Sequence, residues 1–125
     1  MILRARDREL RLGGGTPALM GIVNATPDSF SDGGELAQPV LPGLPDLLAE
    51  VAFAARREQA GTVGDALLRR TRLGLTGARA LLAPGEEAVE RVAAALGAEH
   101  GWDGARVTAE AAAFRAEAAA EGLVL

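Results

Sequence analysis

The sequence predicts a mainly α protein, a small helical bundle of about four helices preceded by a short β-hairpin and strand segment. Two observations carry that expectation. Apolar residues recur at helical spacing from Asp46 almost to the C-terminus, whereas alternation of period two is confined to residues 2–12. Aromatic residues make up only 3% of the chain, so the interior must be built from Leu, Val and Ala, small side chains that suit close helix packing. At 125 residues the chain supports one modest core.

Each element has its own reason. Residues 2–12, ILRARDRELRL, alternate and then resume after Asp7-Arg8, the pattern of a short hairpin. Gly13-Gly14-Gly15 breaks that pattern, and Ala18 to Val23 is a short apolar run. Such a run suits a strand buried on both faces or an apolar tail that adheres to a helical bundle. Asn24 to Gly34 concentrates Asn, Thr, Pro, Asp, Ser and Gly, the residues of an oxygen-rich loop. Residues 35–46 hold three prolines and a glycine, which forbids one continuous helix and predicts an extended connector.

Helices follow. Leu47, Val51 and Ala54 or Ala55 predict a first helix at about 46–60, stopped by Gly61. Thr62 with Asp65 three residues later reads as a capped start of a second helix, running to about Gly74 and a turn at Thr76-Gly77. Pro84 followed by Glu86 and Glu87 predicts a third, bearing Val89, Val92, Ala93 and Leu96 and ending near His100-Gly101. Asp103 is a natural N-cap for a fourth, whose stripe is Val107, Ala111, Phe114 and Ala118 and whose end is Gly122.

Composition excludes several functions. The net charge is −4 and the charges are scattered, with no basic stripe to neutralise a run of phosphates, so nucleic acid is not an expected partner. Cys is absent, which removes disulfides, thiolate metal sites and cysteine nucleophiles. No apolar run approaches the ~18 residues of a membrane span, and the N-terminus lacks a signal-like apolar core; the expectation is a cytoplasmic protein. All thirteen basic residues are Arg.

Leu19 to Gly34, LMGIVNATPDSFSDGG, closely resembles the signature at the first barrel strand and following loop of the dihydropteroate synthases. With the hairpin before it, that resemblance covers residues 1–34. It implies that Asn24 takes the place of the residue holding magnesium at a pterin diphosphate, and that Thr26, Pro27, Asp28, Ser29 and Phe30 belong to the loop folding over substrate. A hard amide oxygen suits Mg²⁺. The family's remaining machinery, however, includes a Lys that this chain lacks altogether. A (β/α)₈ barrel also needs about 200 residues or more.

From Glu35 the chain resembles a second family. LLAEV at Leu47 to Val51, LLRRTRLGL at Leu67 to Leu75, and Gly101-Trp102-Asp103 are similar to the C-terminal helical domain of FAD-dependent glycerol-3-phosphate dehydrogenases and α-glycerophosphate oxidases. This resemblance extends to about residue 121 and defines a second unit, 35–125. It implies a helical domain that packs on a larger body supplying flavin binding and hydride transfer. The dinucleotide fingerprint Gly-x-Gly-x-x-Gly has no convincing counterpart here, and Gly13 to Gly15 do not open a βαβ unit.

The expected function is therefore a catalytically incomplete helical module able to bind an FAD-containing dehydrogenase body. Alone it needs no cofactor; Mg²⁺ or FAD would enter only with the missing domains. The alternatives are a truncated pterin-binding transferase of folate biosynthesis and a fusion product without a role. No catalytic residue is assigned. Arg69, Arg70 and Arg72 are candidate interaction residues, able to clamp an acidic partner or phosphate. A solvated cluster, or pairing with acids such as Glu50 or Glu58, is the plainer alternative. Trp102 is expected to staple the last helix, and His100 to meet a helix C-terminus.

Overall fold

The computed structural model describes residues 33–123, and the backbone of residues 2–5 and 8–11. Two strands, β1 (Ile2–Ala5) and β2 (Arg8–Arg11), pair antiparallel with Ile2 opposite Arg11 and Ala5 opposite Arg8, the hairpin that the alternation predicts. The strand expected over 18–23 lies outside the described residues. Residues 33–123 are helix, turn or loop apart from one isolated bridge: α1 (Gly33–Leu36), α2 (Leu48–Arg57), a π-helical segment (Asp65–Arg70), α3 (Leu73–Thr76), α4 (Ala78–Leu81), α5 (Ala88–His100) and α6 (Gly104–Ala120). The mainly α expectation holds.

The core is the meeting of three long helices and the segments between them. Val51 and Ala54 of α2, Val89, Val92, Ala93 and Leu96 of α5, and Ala111, Phe114 and Ala118 of α6 form one buried cluster. Phe114, at 1% exposure the one aromatic among the fully buried side chains of the described residues, fills the volume that small neighbours leave. Glycine brings α5 and α6 close: a Cβ at Gly97 would stand 2.8 Å from a Val107 methyl. Arg56 on α2 and Glu99 on α5 form a bidentate pair, with Nη2 to Oε1 at 2.7 Å. Arg115 on α6 reaches Glu90 on α5 at 2.9 Å.

The proline-rich stretch is not a linker. Val40 and Leu41 within it are buried in the core. Val40 N donates to Asp46 O at 2.8 Å and Leu48 N to Gln38 O at 3.0 Å, closing residues 38–48 into a loop with a bridge between Pro39 and Leu47. At its tip Pro42-Gly43 makes a turn, with Gly43 at φ +82 and Leu44 N bonded to Leu41 O. Proline presets the first central residue of a type II turn, and glycine supplies the positive φ of the second. The same dipeptide at Pro84-Gly85, with Gly85 at φ +80 and Glu86 N bonded to Ala83 O, forms a turn where the sequence suggests a helix start. The third expected helix accordingly begins at Ala88, and α4 occupies part of the preceding connection.

Helix ends follow local chemistry. Asp103 caps α6 by accepting from Arg106 N at 2.8 Å, as the sequence predicts. Gly101 and Gly122 take left-handed φ at the ends of α5 and α6, and the next residues bond back five positions, Trp102 N to Gly97 O and Leu123 N to Ala118 O. The first long helix ends earlier than expected. Gln59, at φ +58, takes the left-handed position, and Ala60 N bonds back to Ala54 O, so the helix stops before Gly61.

Candidate functional site

The second expected helix is where the structure departs most from the sequence reading. Its start is as predicted: Thr62 Oγ1 accepts from Asp65 N at 3.0 Å, while Asp65 Oδ2 accepts from Thr62 N at 3.2 Å and Gly61 N at 3.1 Å. Burial pushes the Asp65 carboxyl up, but the N–H of Gly61, the Thr62 contacts and the Arg69 guanidinium together hold it below the usual carboxylate range. The helix then widens. Thr71 N bonds to Ala66 O, five residues back, at 2.9 Å, and Thr71 Oγ1 donates to the same carbonyl at 3.1 Å. Such π turns are rare and are found disproportionately where function needs a displaced side chain.

Arg72 ends the segment at φ +61, a left-handed conformation that costs a residue with a Cβ about 1–2 kcal/mol. One uninterrupted helix to Gly74 is therefore excluded, and α3 begins anew at Leu73. The widened turn keeps Ala66 and Leu67 in the core and leaves Arg69 and Arg70 outside.

The candidate cations are placed individually. Arg69 Nη1 meets Asp65 Oδ1 at 2.9 Å and its Nη2 lies 3.8 Å from Glu117 on α6. Arg70 Nη2 donates to the Glu58 backbone carbonyl at 2.6 Å. The plainer alternative holds in kind: all three side chains are exposed and Arg69 pairs with acids of the helices, though with Asp65 and Glu117 and not with Glu50 or Glu58. The reason is the widened turn, which aims Arg69 along its own helix and toward α6, and Arg70 at the backbone end of α2. Arg72 is exposed and has no ion-pair partner among the described residues. The three arginines thus share one corner without converging on one point.

Trp102 and His100 have structural work. Trp102 packs against Gly97, stacks on His100 with centroids 5.3 Å apart, and lies under Arg106 at 5.5 Å. His100 Nε2 contacts Ala60 O at 2.8 Å, joining the end of α5 to the loop after α2. Asn24, Thr26, Pro27, Asp28, Ser29 and Phe30, the residues carried over from the synthase resemblance, lie outside the described residues. Among the described residues no three His, Asp or Glu side chains gather to hold a metal ion, and no helix is long and apolar enough to cross a membrane.

A small core, helices tied by crossing ion pairs and a basic corner together make a small helical domain. The family of the C-terminal domain of α-glycerophosphate oxidase matches residues 11–107, most of the chain, and the chain belongs to that family. No curated protein and no solved structure matches it. The match starts at Arg11, inside the segment that resembles dihydropteroate synthases, and it lends the synthase resemblance no support. It stops in the first turn of α6, yet the rest of α6 completes the same core through Phe114 and Ala118.

The larger enzymes named by this family use a flavin, so the fit to this chain has a definite answer. A dinucleotide site needs a strand, a glycine-rich turn and a helix within a parallel βαβ unit. The described residues hold one antiparallel hairpin and helices, and they do not fit that group.

Proposed function

We propose that the chain is a non-catalytic helical module that acts by binding a separate FAD-containing dehydrogenase body. The observation that carries this reading is the family match over residues 11–107, which describes a domain that belongs to a larger oxidase. The chemistry agrees: the described side chains offer ion pairs, caps and packing, and assemble no nucleophile with a base. Flavin binding and hydride transfer would then belong to the partner, and no step of that chemistry is assigned to this chain.

The test is to mix the full chain with a flavin-loaded glycerol-3-phosphate dehydrogenase body lacking its own C-terminal domain, at micromolar concentration, and separate by gel filtration. Co-elution is expected. Separate elution at that concentration removes the reading. The pterin-transferase alternative rests on the motif at residues 19–34 and is checked by incubating the chain with dihydropterin diphosphate, 4-aminobenzoate and Mg²⁺; no product above blank is expected.

A further inference from the structure

Residues 66–85 contain four Arg (Arg69, Arg70, Arg72 and Arg79) and no Asp or Glu, within a chain whose net charge is −4. Arg69 and Arg70 are held by Asp65 and the Glu58 carbonyl, which leaves Arg72 and Arg79 exposed on this side. Arg72, exposed, sits one turn before Leu75, whose N–H bonds to Arg72 O at 2.9 Å. Leu75 is 52% exposed, one of three large apolar side chains left open among the described residues, with Leu47 and Phe53. It forms one wall of an open groove of about 580 Å³, with Arg79, Leu82, Ala83, Pro84 and Leu123 among the other lining residues. The groove is thus mixed in character: apolar side chains line it together with the Thr76 hydroxyl and the Arg79 guanidinium.

We propose that this groove docks an acidic segment of a partner protein that carries an apolar side chain. That side chain enters beside Leu75, Leu82 and Pro84, and flanking carboxylates meet Arg79 and Arg72. Charge complementarity selects the sign of the segment, and the groove selects the apolar residue. Nucleic acid fits less well, because the lining has no aromatic platform on which a base could stack. A membrane surface fits less well too, because α3 and α4 are four residues each and the site is concave, whereas membrane-surface helices present a long convex apolar face. This names the chemistry of the contact within the module reading above. The assay below uses peptides, so it fails separately from the flavoprotein experiment.

The experiment is fluorescence anisotropy of the full chain against labelled, end-capped peptides made of Asp, Glu and Ser with a single Leu at varied positions. The best Leu-containing member should bind at least about ten-fold tighter than its Leu-to-Ser counterpart, a difference that one buried apolar side chain supplies. Arg79→Glu and Leu75→Ser should each weaken it by about ten-fold with the helical circular dichroism unchanged. Where a variant loses that signal, the unmodified chain decides: binding must weaken with added salt and still require the Leu. No binding by any peptide overturns the proposal. So does equal affinity for the Leu-free peptide, for oligothymidylate or for phosphatidylserine vesicles, which would make the corner a general anion surface.

Discussion

The frame of α2, α5 and α6 and the corner spanning residues 58–85 reach order by different routes. In the frame, apolar residues at helical spacing face one another, and charges close the gaps across helices, as in Arg56 with Glu99 and Arg115 with Glu90. In the corner the longest regular element is six residues, and its backbone follows Thr62, Asp65 and Thr71 more than any periodic face. Two non-glycine residues with left-handed φ, Gln59 and Arg72, flank the π segment. The frame is held by many interchangeable contacts, whereas the corner depends on a few specific ones and carries backbone strain. That strain sits beside the exposed arginines, where an interaction surface would benefit from a displaced backbone.

Five substitutions sharpen this contrast. The largest effect is expected in the frame: Phe114→Ala should cost about 3–5 kcal/mol in urea unfolding, since the side chain is fully buried and Ala-rich neighbours cannot collapse into its place. A loss under about 1 kcal/mol would mean that α6 is not integral to the core. Caps come next, with Asp103→Ala and Asp65→Ala each destabilising by about 1 kcal/mol. Of these, the Asp65 change should also speed amide exchange within 61–71, while the Asp103 change leaves that segment protected.

Gln59→Gly should stabilise by up to about 1 kcal/mol, because glycine removes the left-handed penalty and gives part of it back as unfolded-chain entropy. Unchanged or reduced thermal stability in that variant would show that the corner is unstrained. The smallest effect is a pH dependence. The folded Asp65 carboxyl is held below its unfolded value, so its contribution is present above about pH 4 and disappears as pH falls through the lower folded value. Between those limits Asp65→Asn should show a shallower acid loss of stability than the natural chain.

Much of the local structure was legible in the sequence. The hairpin at 2–12, the Asp103 cap, the Val107 to Ala118 stripe and the Thr62–Asp65 capping pair all rest on interactions within four residues, or between adjacent strands, and the sequence displays such spacings directly. Trp102 likewise staples α6 as its position beside the cap implies. The Pro84-Gly85 turn could have been read from the dipeptide itself, since proline followed by glycine is the type II signature and a weaker argument for a helix start. Nothing local marked the π turn or Arg72 at positive φ, because both arise from fitting Ala66, Leu67 and Leu73 into a core made by distant helices. The candidate arginines were visible as a cluster, but not the groove beside them, whose walls come from α3, α4 and Leu123.

By itself, then, the sequence determined the class of fold, the C-terminal ends of α5 and α6, the absence of a cysteine or lysine chemistry, and the resemblance of the larger part of the chain to the glycerophosphate oxidase C-terminal domain. These depend on composition and on neighbours in the chain. Only the tertiary structure decided that Val40 and Leu41 of the proline-rich stretch are core, that the helix after Thr62 widens and breaks, and which groups Arg69 and Arg70 contact. Those outcomes depend on which surfaces meet after the chain closes on itself, and the burial of a few apolar side chains there outweighs the local preference for one continuous helix.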